Sequence, residues 1–130
     1  MTPARWFFLA AGLCDAGTGL GLLVGPGLIL RLMGVASGPS DPALLRFVGA
    51  FVLGVGLAYL LALVRPPRPG RLSAVAETTA LLRFAVGGYV AVAVAAGTLP
   101  AAWATVAATD LGLAAAQVLL LSRGFFDEPR

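Results

Sequence analysis

Residues 3–24 read PARWFFLAAGLCDAGTGLGLLV, and this stretch decides the fold. At about 1.5 Å per residue, a helix of this length spans roughly 33 Å, which is enough to cross a hydrocarbon core about 30 Å thick. After Arg5 its single charged residue is Asp15, near the middle. A carboxylate at the centre of a membrane helix costs roughly 2.5–3.5 kcal/mol on insertion scales. The sequence therefore predicts that Asp15 has a partner inside the protein.

The composition supports the same class of protein. The 130 residues are 59% hydrophobic and 12% charged, with a mean hydropathy of +0.94. Nucleic acid is not an expected partner of this basic chain, because most of its arginines lie at the ends of apolar segments, where they face lipid headgroups. The single cysteine, Cys14, excludes an intramolecular disulfide and a Cys-based zinc site. No cofactor and no metal are expected.

Three helix starts are marked by a proline in the first turn, where the missing N–H has no helical partner. They are Thr2-Pro3, Asp41-Pro42 and Leu99-Pro100. The predicted membrane spans lie at about residues 3–24, 42–64, 73–97 and 100–122.

Two other segments complete the predicted topology. PGLILRLMG at residues 26–34 predicts a short interfacial helix after the first span, and residues 65–72, which contain RPPRPGR, predict a cytoplasmic loop. The expected fold is all-α: one membrane domain over residues 1–130, with four transmembrane helices in an antiparallel bundle.

The distribution of arginines predicts the orientation. Two of them, Arg31 and Arg46, lie on one side of the predicted spans. Those on the other side are Arg5, Arg65, Arg68, Arg71, Arg123 and Arg130. The positive-inside rule then places both termini and the 65–72 loop in the cytoplasm, as in a multi-pass protein of the bacterial inner membrane.

Three charged residues are predicted to lie near the midplane of the bilayer. Asp15 lies about 18 Å from the inner end of its span, Arg83 about 15 Å from the inner end and Asp110 about 15 Å from the outer end. We expect Arg83 to bridge Asp15, Asp110 or both. Further hydrogen bonds to this cluster are available from Thr18, Thr79 and Thr109. Two interpretations stay open: an ion pair that only specifies packing, or a proton- or cation-binding site in a transporter.

Glu77 and Gln117 lie near the inner ends of their spans. One hypothesis is that they line an inner vestibule, and the alternative is that both are solvated residues at the membrane interface.

Small residues recur at four-residue spacing, which in lipid allows helix backbones to approach closely. The patterns are Gly17-xxx-Gly21-xxx-Gly25, Ala50-xxx-Gly54 and Ala108-xxx-Gly112-xxx-Ala116. We expect them to pack within the monomer; the alternative is an interface with a second copy or a partner.

Two segments, PGLILRLMG at 26–34 and LLRFVGAFVLGVGLAYL at 44–60, resemble the DoxX-like group of small bacterial four-helix membrane proteins. The resemblance implies a four-helix fold and an accessory role in membrane redox or stress systems, and it carries over no catalytic residue. Independently, the chain has no His, no CxxC pair, no phosphate-binding glycine loop and no Ser/His/Asp set, so an enzyme is not expected.

Two functional hypotheses follow. The first is a non-enzymatic accessory or hydrophobic-ligand-binding membrane subunit, whose expected partners are the lipid bilayer, a second copy or another membrane protein, and a lipid or other hydrophobic ligand. The alternative is a proton-coupled transporter of a small solute that uses Asp15 and Asp110 as exchangeable sites.

Overall fold

The computed structural model describes residues 1–35 and 41–127, and this part of the chain contains helices and no β-strand. The helices are α1 (Pro3–Val24), α2 (Pro26–Leu32), α3 (Pro42–Val64), α4 (Arg71–Ala95) and α5 (Ala104–Ser122), with a 3₁₀ turn at Ala101–Trp103 leading into α5. Of the arginines used to predict the orientation, Arg130 lies outside the described residues.

Four helices are long and apolar enough to cross a membrane: Pro3–Val24, Pro42–Val64, Arg71–Ala95 and Ala101–Ser122. Their exposed side chains are largely apolar; Phe47, Leu81 and Val92, for example, are 70%, 69% and 69% exposed. Large apolar side chains exposed on every long helix are expected where the surrounding solvent is lipid. The predicted all-helical class with four potential membrane spans is therefore confirmed.

Two of the three helix starts follow the predicted proline signals, whereas Pro100 precedes a 3₁₀ turn and α5 begins only at Ala104. The Thr2 hydroxyl accepts a hydrogen bond from the Arg5 backbone N–H at 3.4 Å, and the Asp41 carboxylate accepts one from the Ala43 N–H at 2.8 Å. Each cap satisfies a backbone donor that has no partner within the helix. α1 and α3 consequently begin at the predicted prolines.

α4 lies two residues earlier in the chain than predicted at both of its ends. It begins at Arg71 because Gly70, with φ of +74°, turns the chain out of the preceding loop. It ends at Ala95 because Gly97, with φ of +72°, closes the helix. The Gly97 and Thr98 N–H groups donate to the Val94 and Ala93 carbonyls at 3.0 and 2.9 Å, a hydrogen-bond pattern that ends helices at a left-handed glycine.

The chain contacts divide into two compact units, Met1–Pro66 and Pro67–Arg130. The prediction of one membrane domain stays a prediction, and each unit is described by itself.

In the first unit, α1 packs against α3 through glycines. A Cβ on Gly12 would lie 2.8 Å from Leu60 Cδ2, and one on Gly56 would collide with the Ala16 backbone. A Cβ on Gly19 would collide with the backbone of Leu53. Gly12, Ala16 and Gly19 of α1 contact Leu60, Gly56 and Leu53 of α3 in that order. The residue numbers therefore run in opposite directions, and the two helices are antiparallel.

The small-residue patterns predicted on these two helices do not form this contact. Gly17 and Gly54 have open space around them, and Ala50 is exposed. Gly21 is close to Ile29 of α2 instead. The contact between α1 and α3 uses other helix faces than this pattern does: Gly17 is one residue, or about 100°, around the helix from Ala16. Of these positions, only Gly21 is seen to pack within the first unit, and whether the others face a second copy or a partner stays open.

Two further interactions join α1 to α3. The Phe8 and Tyr59 rings, both completely buried, meet edge to face with centroids 5.1 Å apart. The Arg5 Nη2 group donates to the Leu63 carbonyl at 2.8 Å, in the last turn of α3. A cation at a helix C-terminus satisfies a carbonyl that has no helical donor and favours the negative end of the helix dipole.

In the second unit, α4 packs against α5 at Gly87. A Cβ on Gly87 would lie 2.9 Å from Leu111 Cγ and 3.1 Å from Asp110 Cβ. The predicted pattern on α5 is again on another face: Ala108, Gly112 and Ala116 are exposed, and Gly112 has open space around it. This pattern therefore does not form the contact between α4 and α5.

Candidate functional site

An ion pair joins α4 to α5 within the second unit. Arg83 Nη1 donates to Asp110 Oδ1 at 2.8 Å, and the two side chains are only 10% and 18% exposed. Hydrogen bonds between ionised groups are shorter and stronger than neutral ones. Because each charge has its opposite within contact, neither is presented alone to the lipid.

Gly87 explains how the pair forms. It lies four residues after Arg83, on the same face of α4, and it touches Asp110 and Leu111. Without a side chain at Gly87 the two backbones approach closely, which brings the Asp110 carboxylate within reach of the guanidinium one turn away.

A second polar contact lies nearer the start of α4. The Gln117 side chain is completely buried, and its Nε2 group donates to Thr79 Oγ1 at 2.9 Å and to the Ala76 carbonyl at 3.3 Å. Thr79 Oγ1 in turn donates to the Val75 carbonyl at 2.8 Å. An amide and a hydroxyl thus hold α4 against α5 at a second level.

Neither Thr79 nor Thr109 has the predicted role of completing the ion pair. Thr79 bonds to Gln117, and the exposed Thr109 hydroxyl donates to the Thr105 carbonyl of its own helix at 2.8 Å. A threonine hydroxyl in a helix can donate to the backbone carbonyl one turn earlier in the same helix. The depth of the residue along the helix does not show which of these bonds it makes.

Asp15 belongs to the other compact unit, in the middle of α1, where it is partly buried. The structure thus pairs Arg83 with Asp110, and a cluster that includes Asp15 stays a prediction.

Glu77 and Gln117 have different environments. Glu77 is exposed, whereas Gln117 is fully enclosed. The alternative that both are solvated is wrong for Gln117, because its amide is buried against α4. The vestibule stays a prediction.

A third contact was not predicted from the sequence. After α5, Gly124 has φ of +66° and reverses the chain, and the Phe126 ring behind it is 1% exposed. The Ser73 hydroxyl then donates to Asp127 Oδ1 at 3.0 Å. Gly124, three residues after the last apolar residue of the span, was the one available signal of this turn.

In chemical terms, these contacts hold helices together. Within residues 1–35 and 41–127, no group of three His, Cys, Asp or Glu side chains is close enough to hold a metal ion. The fold and the ion pair define the class as an all-helical, multi-pass membrane protein with charged residues inside its spans. Searches against models of protein families, curated proteins and solved structures gave no match for the chain.

Proposed function

We propose that the chain is a non-enzymatic protein of the bacterial inner membrane that serves as an accessory subunit, associating with another membrane component or with a hydrophobic ligand. In this function the charged residues of the spans maintain the structure, and the apolar outer surface makes the functional contacts.

The observation that carries the proposal is the Arg83–Asp110 ion pair. A carrier of protons or cations needs a carboxylate that binds the transported ion and releases it again in each cycle. Asp110 instead accepts a 2.8 Å hydrogen bond from a guanidinium, a group that stays protonated in proteins. Breaking that pair inside the membrane would leave two uncompensated charges, which favours a permanent structural role.

The exposed surface of α4 supports the second part of the proposal. Leu81, Tyr89 and Val92 are each 69–70% exposed on this helix. A bilayer covers such a surface, and so does an apolar face of another membrane protein, which removes lipid from both partners.

The proposed arrangement is a bundle of four antiparallel helices with both termini in the cytoplasm and α2 at the outer interface. α4 and α5 are antiparallel, because Thr79 meets Gln117 and Arg83 meets Asp110. This pair and the antiparallel pair α1/α3 support the arrangement, and so do Leu28 and Leu32, which lie on one exposed face of α2. An accessory role also agrees with what the resemblance to the DoxX-like group implies.

In-cell crosslinking tests the proposal. A photoreactive amino acid replaces Leu81, on α4, or Leu61, on α3, in the full-length protein. The accessory function predicts a discrete adduct, to a protein or to a ligand other than bulk phospholipid, from at least one of the two positions. Adducts to bulk phospholipid alone at both positions would overturn it.

A flux measurement examines the alternative function. The purified protein is reconstituted in liposomes that contain a pH-sensitive dye, and a pH gradient is applied. We expect no flux above that of empty liposomes. Proton flux that is abolished by Asp110→Asn would contradict the accessory role and establish the transporter.

A further inference from the structure

Two arginines converge on the corner where α1 ends and α2 begins. Arg46 of α3 donates from Nε to the Leu23 carbonyl at 3.2 Å, and Arg31 of α2 donates from Nε to the Gly27 carbonyl at 3.2 Å. These carbonyls lie two residues to either side of Gly25, at the break between the helices. Both guanidinium groups are therefore attached to the same corner of the first unit.

The chain sequence explains why Leu23 accepts this bond. The Leu23 carbonyl is in the last turn of α1, where carbonyls have no helical donor, and Pro26 prevents the helix from continuing. Arg46 supplies the missing donor from the neighbouring helix. Its side chain is consequently oriented by the backbone, although it is exposed.

Both arginines keep donors available for a ligand. A guanidinium has five N–H groups, and a bond through Nε leaves both terminal nitrogens unused. Within residues 1–35 and 41–127, neither Arg31 nor Arg46 has a carboxylate partner. Asp41, the acid nearest to either in sequence, accepts from the Ala43 N–H at 2.8 Å. Two exposed positive charges at one corner thus lack a counter-ion from the described chain.

Apolar side chains next to these charges indicate an amphiphilic ligand. Leu28 and Leu32 are 57% and 74% exposed and lie one turn apart on the same face of α2, and Val24, at the end of α1, is 77% exposed. Phe47, beside Arg46 in the chain, is 70% exposed. A free anion gains nothing from contact with these apolar side chains, whereas an acyl chain that covers them is stabilised by apolar burial.

The geometry points to a phospholipid-binding site at this corner, in which Arg31 and Arg46 hold the phosphate and the exposed Leu28 and Leu32 of α2 contact an acyl chain. Arg binds phosphate oxygens through paired N–H groups, and preoriented side chains lose less entropy on binding. The inference rests on the proposed membrane function and deepens it, because it names a class of hydrophobic ligand.

Native mass spectrometry of the full-length protein in detergent tests the site. The ligands are phosphatidylglycerol, a diacylglycerol with the same chains, and inorganic phosphate. The variants are Arg31→Gln, Arg46→Gln and the matched control Arg68→Gln, which removes an exposed arginine from the 65–70 loop.

We expect one phosphatidylglycerol to be retained by wild type and by Arg68→Gln, and to bind about tenfold more weakly to each corner variant, since a hydrogen bond to a charged group is lost. Diacylglycerol and inorganic phosphate should bind weakly to all forms. Circular dichroism checks the helix content; if Arg46→Gln lowers it, Arg31→Gln on the exposed helix decides the result.

Equal retention of phosphatidylglycerol by Arg31→Gln and Arg68→Gln would overturn the lipid site, as would diacylglycerol binding as tight as that of the phospholipid. Inorganic phosphate that displaces the lipid completely would indicate a free-anion site and would also overturn it. In each of these cases discrete adducts from Leu81 or Leu61, neither of which is part of this corner, would persist if the accessory function is correct, so the two failures are distinguishable.

Discussion

Arg83 and Asp110 form a 2.8 Å ion pair between two consecutive membrane-spanning helices, one turn from the glycine at which those helices approach. The side chain of each is at least four-fifths buried, so the pair is largely shielded from solvent. Its strength is therefore measurable by removing one charge and then both.

A double-mutant cycle on this pair should show strong coupling. Arg83→Gln and Asp110→Asn should each lower the free energy of unfolding by about 1–3 kcal/mol, because each leaves the other charge without its partner. The double variant should recover much of that loss. Unfolding in mixed detergent micelles measures all three, with Arg68→Gln as the control. Additive effects of the two substitutions would exclude an energetically coupled pair.

Substitution of neighbouring glycines on α4 should have opposite effects. Gly87→Ala places a Cβ 2.9 Å from Leu111 Cγ and should destabilise the protein by about 1–2 kcal/mol. Gly88→Ala enters open space and should be neutral or stabilising by up to about 1 kcal/mol, since Gly is a poor helix former. Thermal unfolding in detergent compares them. Equal melting temperatures would contradict the close approach at Gly87.

The contact between α1 and α3 allows a similar comparison. Gly56→Ala should destabilise the protein because its Cβ would collide with the Ala16 backbone, which cannot move without separating the helices. Gly54→Ala, on the open face of α3, should be tolerated. Resistance of the membrane-embedded protein to heating reports the difference. A greater loss with Gly54→Ala would indicate that the predicted small-residue face, and not the observed one, forms the contact.

Gln117 should contribute more to stability than its exposed neighbour. Gln117→Ala removes a fully buried side chain and its bonds to Thr79 and Ala76, which should lower the free energy of unfolding by about 1–3 kcal/mol. Val118→Ala, at a side chain that is 48% exposed, should lower it by less than about 1 kcal/mol. Detergent unfolding compares the two variants. Equal losses would show that the buried amide adds nothing beyond its volume.

The proposed orientation is measurable by labelling of single cysteines. In a Cys14→Ser background, Arg68→Cys lies in the 65–70 loop and Thr98→Cys lies between α4 and α5. If the proposed topology is correct and the arginine-rich loop faces the cytoplasm, a membrane-impermeant maleimide added outside intact cells should label only Thr98→Cys. Both should react after the cells are opened. Labelling of Arg68→Cys in intact cells would reverse the proposed topology.

Much of the helical architecture was predictable because it depends on local properties of the chain. A proline in the first turn and a run of apolar residues are both read along the sequence, so α1 and α3 have the predicted bounds. The ends of α4 depended on left-handed glycines, Gly70 and Gly97, and were displaced by two residues. Local signals of this kind leave boundaries less well determined than the helices themselves.

The candidate site was predictable in part. Equal depth in the membrane follows from residue counting at a constant rise, and it placed Arg83 and Asp110 at one level. Which hydroxyls and amides take part depends on the direction of each side chain around its helix, so the bond between Gln117 and Thr79 did not follow from depth.

Composition and residue counting along the chain were sufficient for the class of protein, the number of potential spans and the common axial level of Arg83 and Asp110. The tertiary structure alone decided the face of each helix that is buried, which separates Gly19 and Gly56 from Gly17 and Gly54. The physical reason is that lipid and the protein interior are similarly apolar, so hydrophobicity does not mark the inner face of a membrane helix. The fit between backbones and the pairing of polar groups determine that face, and both arise only when two helices meet.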